Sequence, residues 1–245
     1  MRRGPRNHLE RCKPDPRKAP SGPDRLPQPA LKICGLRHPA QAAAVAALGV
    51  EAIGVIAVPT SPRYLAADRR QELFGAASSS APGCQGVLVV ADPADPELEQ
   101  LAAGRGHQVL QLHGEESPSR CRQLRSQLGV AIWKALRIRS RQDLERAQAY
   151  GEVVDALLLD AWVPDQLGGT GHSLPLDWLS DFQPPLPWWL AGGIRPESVA
   201  DLLEQLQPEG LDVSSGVESS PGVKDLDRVA QLLAAMGRPS SRNVG

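Results

Sequence analysis

Cys34 and Asp160 are the residues of this chain best placed to move protons. Each ends a short apolar run, Leu31-Lys32-Ile33-Cys34 in one case and Leu158-Leu159-Asp160 in the other. A thiol at one strand end and a carboxyl at another can flank a small molecule from two sides, as a proton shift between neighbouring atoms requires. An ordinary thiol is only roughly a few per cent thiolate at neutral pH, so base work by Cys34 calls for nearby positive charge. Lys32 lies two residues earlier on the same strand face. Asp212, on what the pattern makes a neighbouring strand, is placed to hold that lysine. Each residue type also has a plainer use, the buried cysteine as a small hydrophobe and the aspartate as a helix cap.

Three glycine-rich strings suggest an anion site: Gly168-Gly169-Thr170-Gly171, Ala191-Gly192-Gly193 and Ser214-Ser215-Gly216. Glycine lets the backbone approach an anion closely, so that successive N–H groups converge on its oxygens. A helix N-terminus adds its positive end to the same spot. One Gly-Gly pair is ordinarily a turn. Three such strings at successive strand ends point to a phosphomonoester.

The elements that would position these residues are written in alternating patterns. Eight apolar runs read as strands: 31–35, 52–58, 86–90, 108–113, 131–138, 155–160, 188–191 and 211–214. Helical stretches are expected at 39–48 with Gly49 at the C-cap, 117–128 with Gly129, 140–150 with Gly151, 196–206 and 224–236. Continuous apolar runs suit strands buried on both faces, with helices on one side and a packed interior on the other. The expected fold is therefore α/β, a single (β/α)8 TIM barrel, in preference to an open doubly wound sheet. No G-x-G-x-x-G follows the first run, which weakens the open-sheet alternative. In a barrel the C-terminal strand ends carry the site. That rule gathers Cys34, Arg63, His113, Asp160, Gly192, Gly193 and Ser214 at one mouth.

Composition bounds the rest. Lys plus Arg number 27 and Asp plus Glu 28, a net charge of −1 that gives no reason to expect a nucleic acid partner. No apolar run is long enough for a membrane span. Four cysteines, Cys12, Cys34, Cys84 and Cys121, include no C-x-x-C pair, which suits a reduced, cytoplasmic setting. Residues 1–29 hold seven of the 23 prolines and eight basic residues against three acidic ones, a net of +5. Such a segment cannot bury enough surface to offset its ordering entropy, so it is expected to be a disordered extension. The expected division is a 1–29 extension, a catalytic barrel over 30–236 and a disordered 237–245 tail.

With these strings assembled, the chain resembles the phosphoribosylanthranilate isomerases of tryptophan biosynthesis. The matching segments are Lys32-Ile33-Cys34-Gly35, Gly54-Val55-Ile56, Ser61-Pro62-Arg63-Tyr64, Gln111-Leu112-His113-Gly114, Leu158-Leu159-Asp160, Gly168-Gly169-Thr170-Gly171, Leu190-Ala191-Gly192-Gly193-Ile194 and Asp212-Val213-Ser214-Ser215-Gly216-Val217-Glu218. They occur in the family's order across residues 31–236. The resemblance implies a (β/α)8 barrel without metal or organic cofactor. It implies the Amadori rearrangement of a phosphoribosyl anthranilate, with Cys34 as general base and Asp160 as general acid. Arg63 would meet the anthranilate carboxylate, and His113 either touches substrate or hydrogen-bonds a strand end. Gly169, Thr170, Gly171, Gly192, Gly193, Asp212, Ser214, Ser215 and Gly216 would bind substrate, chiefly its phosphate. The working unit would be a monomer or a homodimer.

The chain departs from the family pattern in three places. Val55-Ile56-Ala57-Val58 stands where an aromatic is usual, Thr60 where a lysine is frequent, and Gly171-His172-Ser173-Leu174 where Gly-Lys-Thr-Phe is common. These changes remove a positive charge near the phosphate loop and one wall of the anthranilate slot, which Trp162 or Leu174 would have to replace. The rival readings are a ribulose-phosphate epimerase, a bifunctional histidine and tryptophan isomerase, and a catalytically inactive barrel serving as a scaffold. The five histidines are not spaced as a ligand set, which disfavours the epimerase. Cys34 stands where bifunctional relatives tend to place Asp.

Overall fold

Strand periodicity explains the architecture in the computed structural model, which describes residues 28–161 and 173–238. The strands are β1 (Ala30–Cys34), β2 (Ala52–Ile56), β3 (Gln85–Val90), β4 (Val109–Leu112), β5 (Ala131–Ile138), β6 (Ala156–Ala161), β7 (Trp188–Ala191) and β8 (Gly210–Val213). All pairings are parallel, and β8 closes on β1 through Lys32↔Asp212 and Ile33↔Val213. Within β1, Leu31 and Ile33 pack outward in the same core as Ala42 and Val45 of helix α1 (Pro39–Ala47), while Lys32 and Cys34 point the other way. The barrel interior holds a separate apolar cluster that includes Val87, Val109, Trp133, Leu158 and Trp189. Trp133 and Trp189 stack with ring centroids 4.6 Å apart. Gly210 accommodates them, since a Cβ there would lie 2.4 Å from the Trp189 ring.

The strand bounds match the sequence reading to within two residues, but among the described residues a full helix does not follow every strand. Helices α2 (Ala67–Ser80) and α4 (Pro118–Leu128) are full elements, α4 ending at Gly129 with φ +65°. After β3 only a 3₁₀ turn and the one-turn α3 (Leu98–Leu101) form. The segment expected as a helix over 140–150 is a run of 3₁₀ turns, Arg141–Tyr150, in which Asp143 accepts from the backbone N–H groups of Arg139 and Ser140. The expected 196–206 helix shortens to α5 (Val199–Gln205).

The last helix also starts later than expected, as α6 (Leu226–Ala235), with Asp225 capping the N–H groups of Asp227 and Arg228. Lys224 instead belongs to a small hairpin of β9 (Glu218–Ser220) and β10 (Val223–Lys224), inserted between β8 and α6. That hairpin carries two charged groups to the barrel mouth. At the C-terminal boundary, Arg238 was expected in a disordered tail. It bonds the Gly49 carbonyl and pairs with Glu51, which extends the ordered barrel past 236. The rest of the 1–29 and 237–245 segments lies outside the described residues, apart from Gln28, Pro29 and Gly237. No described helix is long and apolar enough to cross a membrane.

Candidate active site

Cys34 ends β1 with its side chain turned to the barrel axis, and it fits there because its neighbour on β2 is Gly54. A Cβ on Gly54 would stand 2.6 Å from Cys34 Sγ and 3.0 Å from Lys32 Cε. Asp160, near the end of β6, is 3 % exposed. Both line one cavity at the barrel mouth. Arg63, His113, Gly192, Gly193, Asp212, Ser214, Ser215 and Gly216 line it as well. The expected site residues Gly169, Thr170 and Gly171 lie outside the described residues, as does Trp162. Among the described residues no cluster of His, Cys, Asp and Glu could hold a metal ion.

A buried polar chain crosses the cavity floor from the thiol side to the carboxyl side. Lys32 Nζ donates to Asp212 Oδ2 at 2.8 Å and to Gln111 Oε1 at 2.7 Å. The Gln111 amide nitrogen is 3.1 Å from His113 Nδ1. His113 Nε2 in turn approaches Asp160 Oδ2 at 3.3 Å. That last approach is close but poorly aligned, so Nε2 makes no directed hydrogen bond. Asp212 Oδ1 is likewise buried without a partner, leaving an acceptor beside the cavity.

These charges act on the thiol in opposite directions. Burial pushes Cys34 up from its ordinary value, Lys32 and Lys224 pull it down, and Asp212 adds to the rise. The net direction is upward, although Lys32 exerts the downward pull expected of it. Desolvating an anion outweighs one lysine whose charge is already shared with Asp212. Burial works against the Lys32 ammonium too, but Asp212 and Cys34 together hold its proton more tightly than usual.

Arg63 also departs from expectation. Its guanidinium fork is taken by Glu218, with Nε–Oε1 at 2.9 Å and Nη2–Oε2 at 2.7 Å, so it is neither solvated nor open on both edges. Among the described residues its Nη1 makes no hydrogen bond. Glu218 also receives Lys224 Nζ at 2.6 Å, and Lys224 reaches the Ser214 carbonyl at 3.2 Å. Sequence reasoning included Glu218 only as part of a matched string and assigned Lys224 to a helix. Glu218 offers no local signal for its pairing with Arg63, which lies 155 positions away along the chain. Gln111 likewise stands in a matched string without a role of its own, a polar residue within an apolar strand.

On the far side of the mouth the cavity is lined by the glycine-rich loops after β7 and β8. Gly192 and Gly193 take φ of +90° and +64°. Gly216 packs so closely that a Cβ would fall 1.9 Å from the Ile194 carbonyl oxygen. An adjoining groove shares Gly193, Ser215 and Gly216 and adds Arg195 and Arg228 together with Glu197 and Glu218, Arg228 being paired with Glu197. Of the two residues expected to replace the missing apolar wall, Trp162 lies outside the described residues. Leu174 is packed into the core, while Ile56, Val58 and Val89 line the cavity.

Comparison with known proteins agrees with this geometry. Residues 31–235 match the family model described as N-(5'phosphoribosyl)anthranilate (PRA) isomerase. A relative from Synechocystis sp., an N-(5'-phosphoribosyl)anthranilate isomerase, is 49 % identical over 207 residues, covering 84 % of this chain and 94 % of its own. The phosphoribosyl anthranilate isomerase of Thermotoga maritima superposes with a TM-score of 0.76 at 27 % identity, over 85 % of this chain and 98 % of its own. A further isomerase structure holds reduced 1-(o-carboxyphenylamino)-1-deoxyribulose 5-phosphate. It matches with a TM-score of 0.70 at 28 % identity, over the same shares of the two chains.

Proposed function

The chain belongs to the N-(5'-phosphoribosyl)anthranilate isomerase family, and from that premise we propose how the barrel mouth divides the work. Cys34 is the general base, Asp160 the general acid, and the loops after β7 and β8 hold the phosphate. The reaction is the Amadori rearrangement of N-(5-phospho-β-D-ribosyl)anthranilate to 1-(2-carboxyphenylamino)-1-deoxy-D-ribulose 5-phosphate, in L-tryptophan biosynthesis. The observation that carries the assignment is that one cavity is lined by Cys34, Asp160 and the Gly193 and Gly216 backbone together.

The chemistry runs in three stages that together move four protons. Asp160 gives its proton to the furanose ring oxygen as the C1′–O bond breaks, and the anthranilate nitrogen lone pair forms a protonated Schiff base. The Cys34 thiolate then takes the C2′ proton, and the C–H electrons become the C1′–C2′ double bond of an enolamine. Finally C1′ gains a proton and the 2′-hydroxyl loses one, leaving a ketone with no net oxidation. Because its pKa is raised, the Cys34 thiolate is scarcer but a stronger base for carbon acidity.

Substrate is held by groups on opposite sides. Gly192, Gly193, Ser214, Ser215 and Gly216 direct backbone and hydroxyl donors to the phosphate, and the same role is proposed for Gly169, Thr170 and Gly171, which lie outside the described residues. Arg63 meets the anthranilate carboxylate through Nη1 while Glu218 fixes its other edge. The aromatic ring lies against Ile56, Val58 and Val89. Asp212 Oδ1 accepts from a ribose hydroxyl.

Every residue this reading uses comes from one chain, so a monomer or a homodimer serves equally. The catalytic unit is 30–236, and the chemistry needs neither metal nor organic cofactor. Among the described residues the cysteines, Cys34, Cys84 and Cys121, are free and buried, which supports a reducing cytoplasmic setting. The test is turnover by the full chain, followed as loss of the substrate's anthranilate fluorescence. The expected result is conversion to the ketone product, and a folded chain that leaves the substrate unconsumed would overturn the reading.

A further inference from the structure

We infer that Gln111 is a positioning residue that selects the tautomer of His113 and thereby decides which Asp160 oxygen carries the catalytic proton. The argument begins at Lys32, 0 % exposed, whose ammonium can only donate. The Gln111 atom 2.7 Å away must therefore be the amide oxygen, which fixes the orientation of that amide. Its NH2 group then faces His113 Nδ1 at 3.1 Å. An amide NH2 has no lone pair to offer, so Nδ1 must be the accepting nitrogen. The neutral ring consequently carries its proton on Nε2, the atom 3.3 Å from Asp160 Oδ2.

The consequence reaches the reacting groups. With an N–H 3.3 Å away, Oδ2 faces a positive hydrogen although the two are not aligned as a hydrogen bond, and this favours the proton to be transferred on Oδ1. With the opposite tautomer, two lone pairs would face each other and the proton would be drawn to Oδ2, toward His113 and away from the sugar. A lysine beside the base thus sets the proton position of the acid through one glutamine. Lys32 also requires this arrangement, because Asp212 and Gln111 are its two strong acceptors. All members of the chain are buried, so water does not offer an easy alternative partner.

This inference rests on the assignment of Asp160 as the acid, and its test separates the two. Nuclear magnetic resonance of full-length protein carrying isotope-labelled histidine reads the ring tautomer in the resting enzyme, with the His113 signal identified by its loss in His113→Gln. The wild-type signal should be that of an Nε2–H ring. Gln111→Glu puts an acceptor against Nδ1, and the spectrum should then show an Nδ1–H. Its kcat should fall at least ~10-fold while KM stays within about threefold, the split expected of misplaced proton transfer rather than lost binding. An Nδ1–H tautomer in the wild-type enzyme overturns the inference without any variant having to fold. Wild-type kcat in Gln111→Glu overturns it as well. If Asp160→Asn kept full activity while the wild-type tautomer was Nε2–H, the acid assignment alone would fail.

Discussion

The Lys32 ammonium stands 2.8 Å from one oxygen of the Asp212 carboxylate, and the other oxygen of that carboxylate has no partner. The pair is shut inside the barrel, where removing one member leaves a buried charge uncompensated. Lys32 also contributes a downward pull on the Cys34 thiol, opposing burial. Lys32→Met should therefore move the Cys34 titration to still higher pH, by roughly one unit or more. The thiolate ultraviolet absorbance, taken as the difference from Cys34→Ser, measures it. An unmoved midpoint would mean that the lysine has no electrostatic hold on the thiol.

A second prediction concerns room for the thiol. Gly54→Ala would place a methyl 2.6 Å from Cys34 Sγ and 3.0 Å from Lys32 Cε, and neither group is free to retreat. Overpacking of this kind costs about 1 to 3 kcal/mol of stability. Turnover should fall by more than stability suggests, because the displaced atom is the base itself. Denaturant unfolding and kcat, measured on the same preparation, check both parts.

The strands and most of the site could be read before any coordinates, because apolar strands ending in Cys34, Asp160 and Gly192 announce themselves by contrast with their flanks. What could not be read depends on distant partners. The Arg63 fork looks open until the hairpin brings Glu218 to it, and nothing local in Glu218 predicts that pairing. The sign of the Cys34 shift is a contest between burial and two lysines, and burial has no local sequence signature. Residues 140–150 carry a helical pattern, yet Asp143 bonds the backbone at Arg139 and Ser140 and the segment winds as 3₁₀. Lys224 was absorbed into a helix by periodicity, although the true start is the Asp225 cap one residue later.

Glu218 supplies a pH-dependent prediction. Burial alone would raise its carboxyl pKa, but Arg63 and Lys224 together bring it below the ordinary value. A carboxylate with a depressed folded pKa contributes stability above its unfolded pKa and loses it as pH falls through the folded one. Glu218→Gln should therefore be less stable than wild type near pH 7, by about 3 to 5 kcal/mol for a broken buried pair. The gap should narrow as the medium is acidified below about pH 4.3, the unperturbed Glu value. Urea unfolding across this range measures the gap, and a constant difference would contradict the role of the charge.

The central claim is that the Cys34 thiol and the Asp160 carboxyl do separate proton transfers on one bound sugar. The most direct measurement compares Cys34→Ala and Asp160→Asn for kcat and, by calorimetry, for affinity toward reduced carboxyphenylamino-deoxyribulose phosphate. Each variant should lose about 10²- to 10⁴-fold or more in kcat while holding that ligand within a few-fold of wild type. Substantial turnover surviving in both variants would contradict the account.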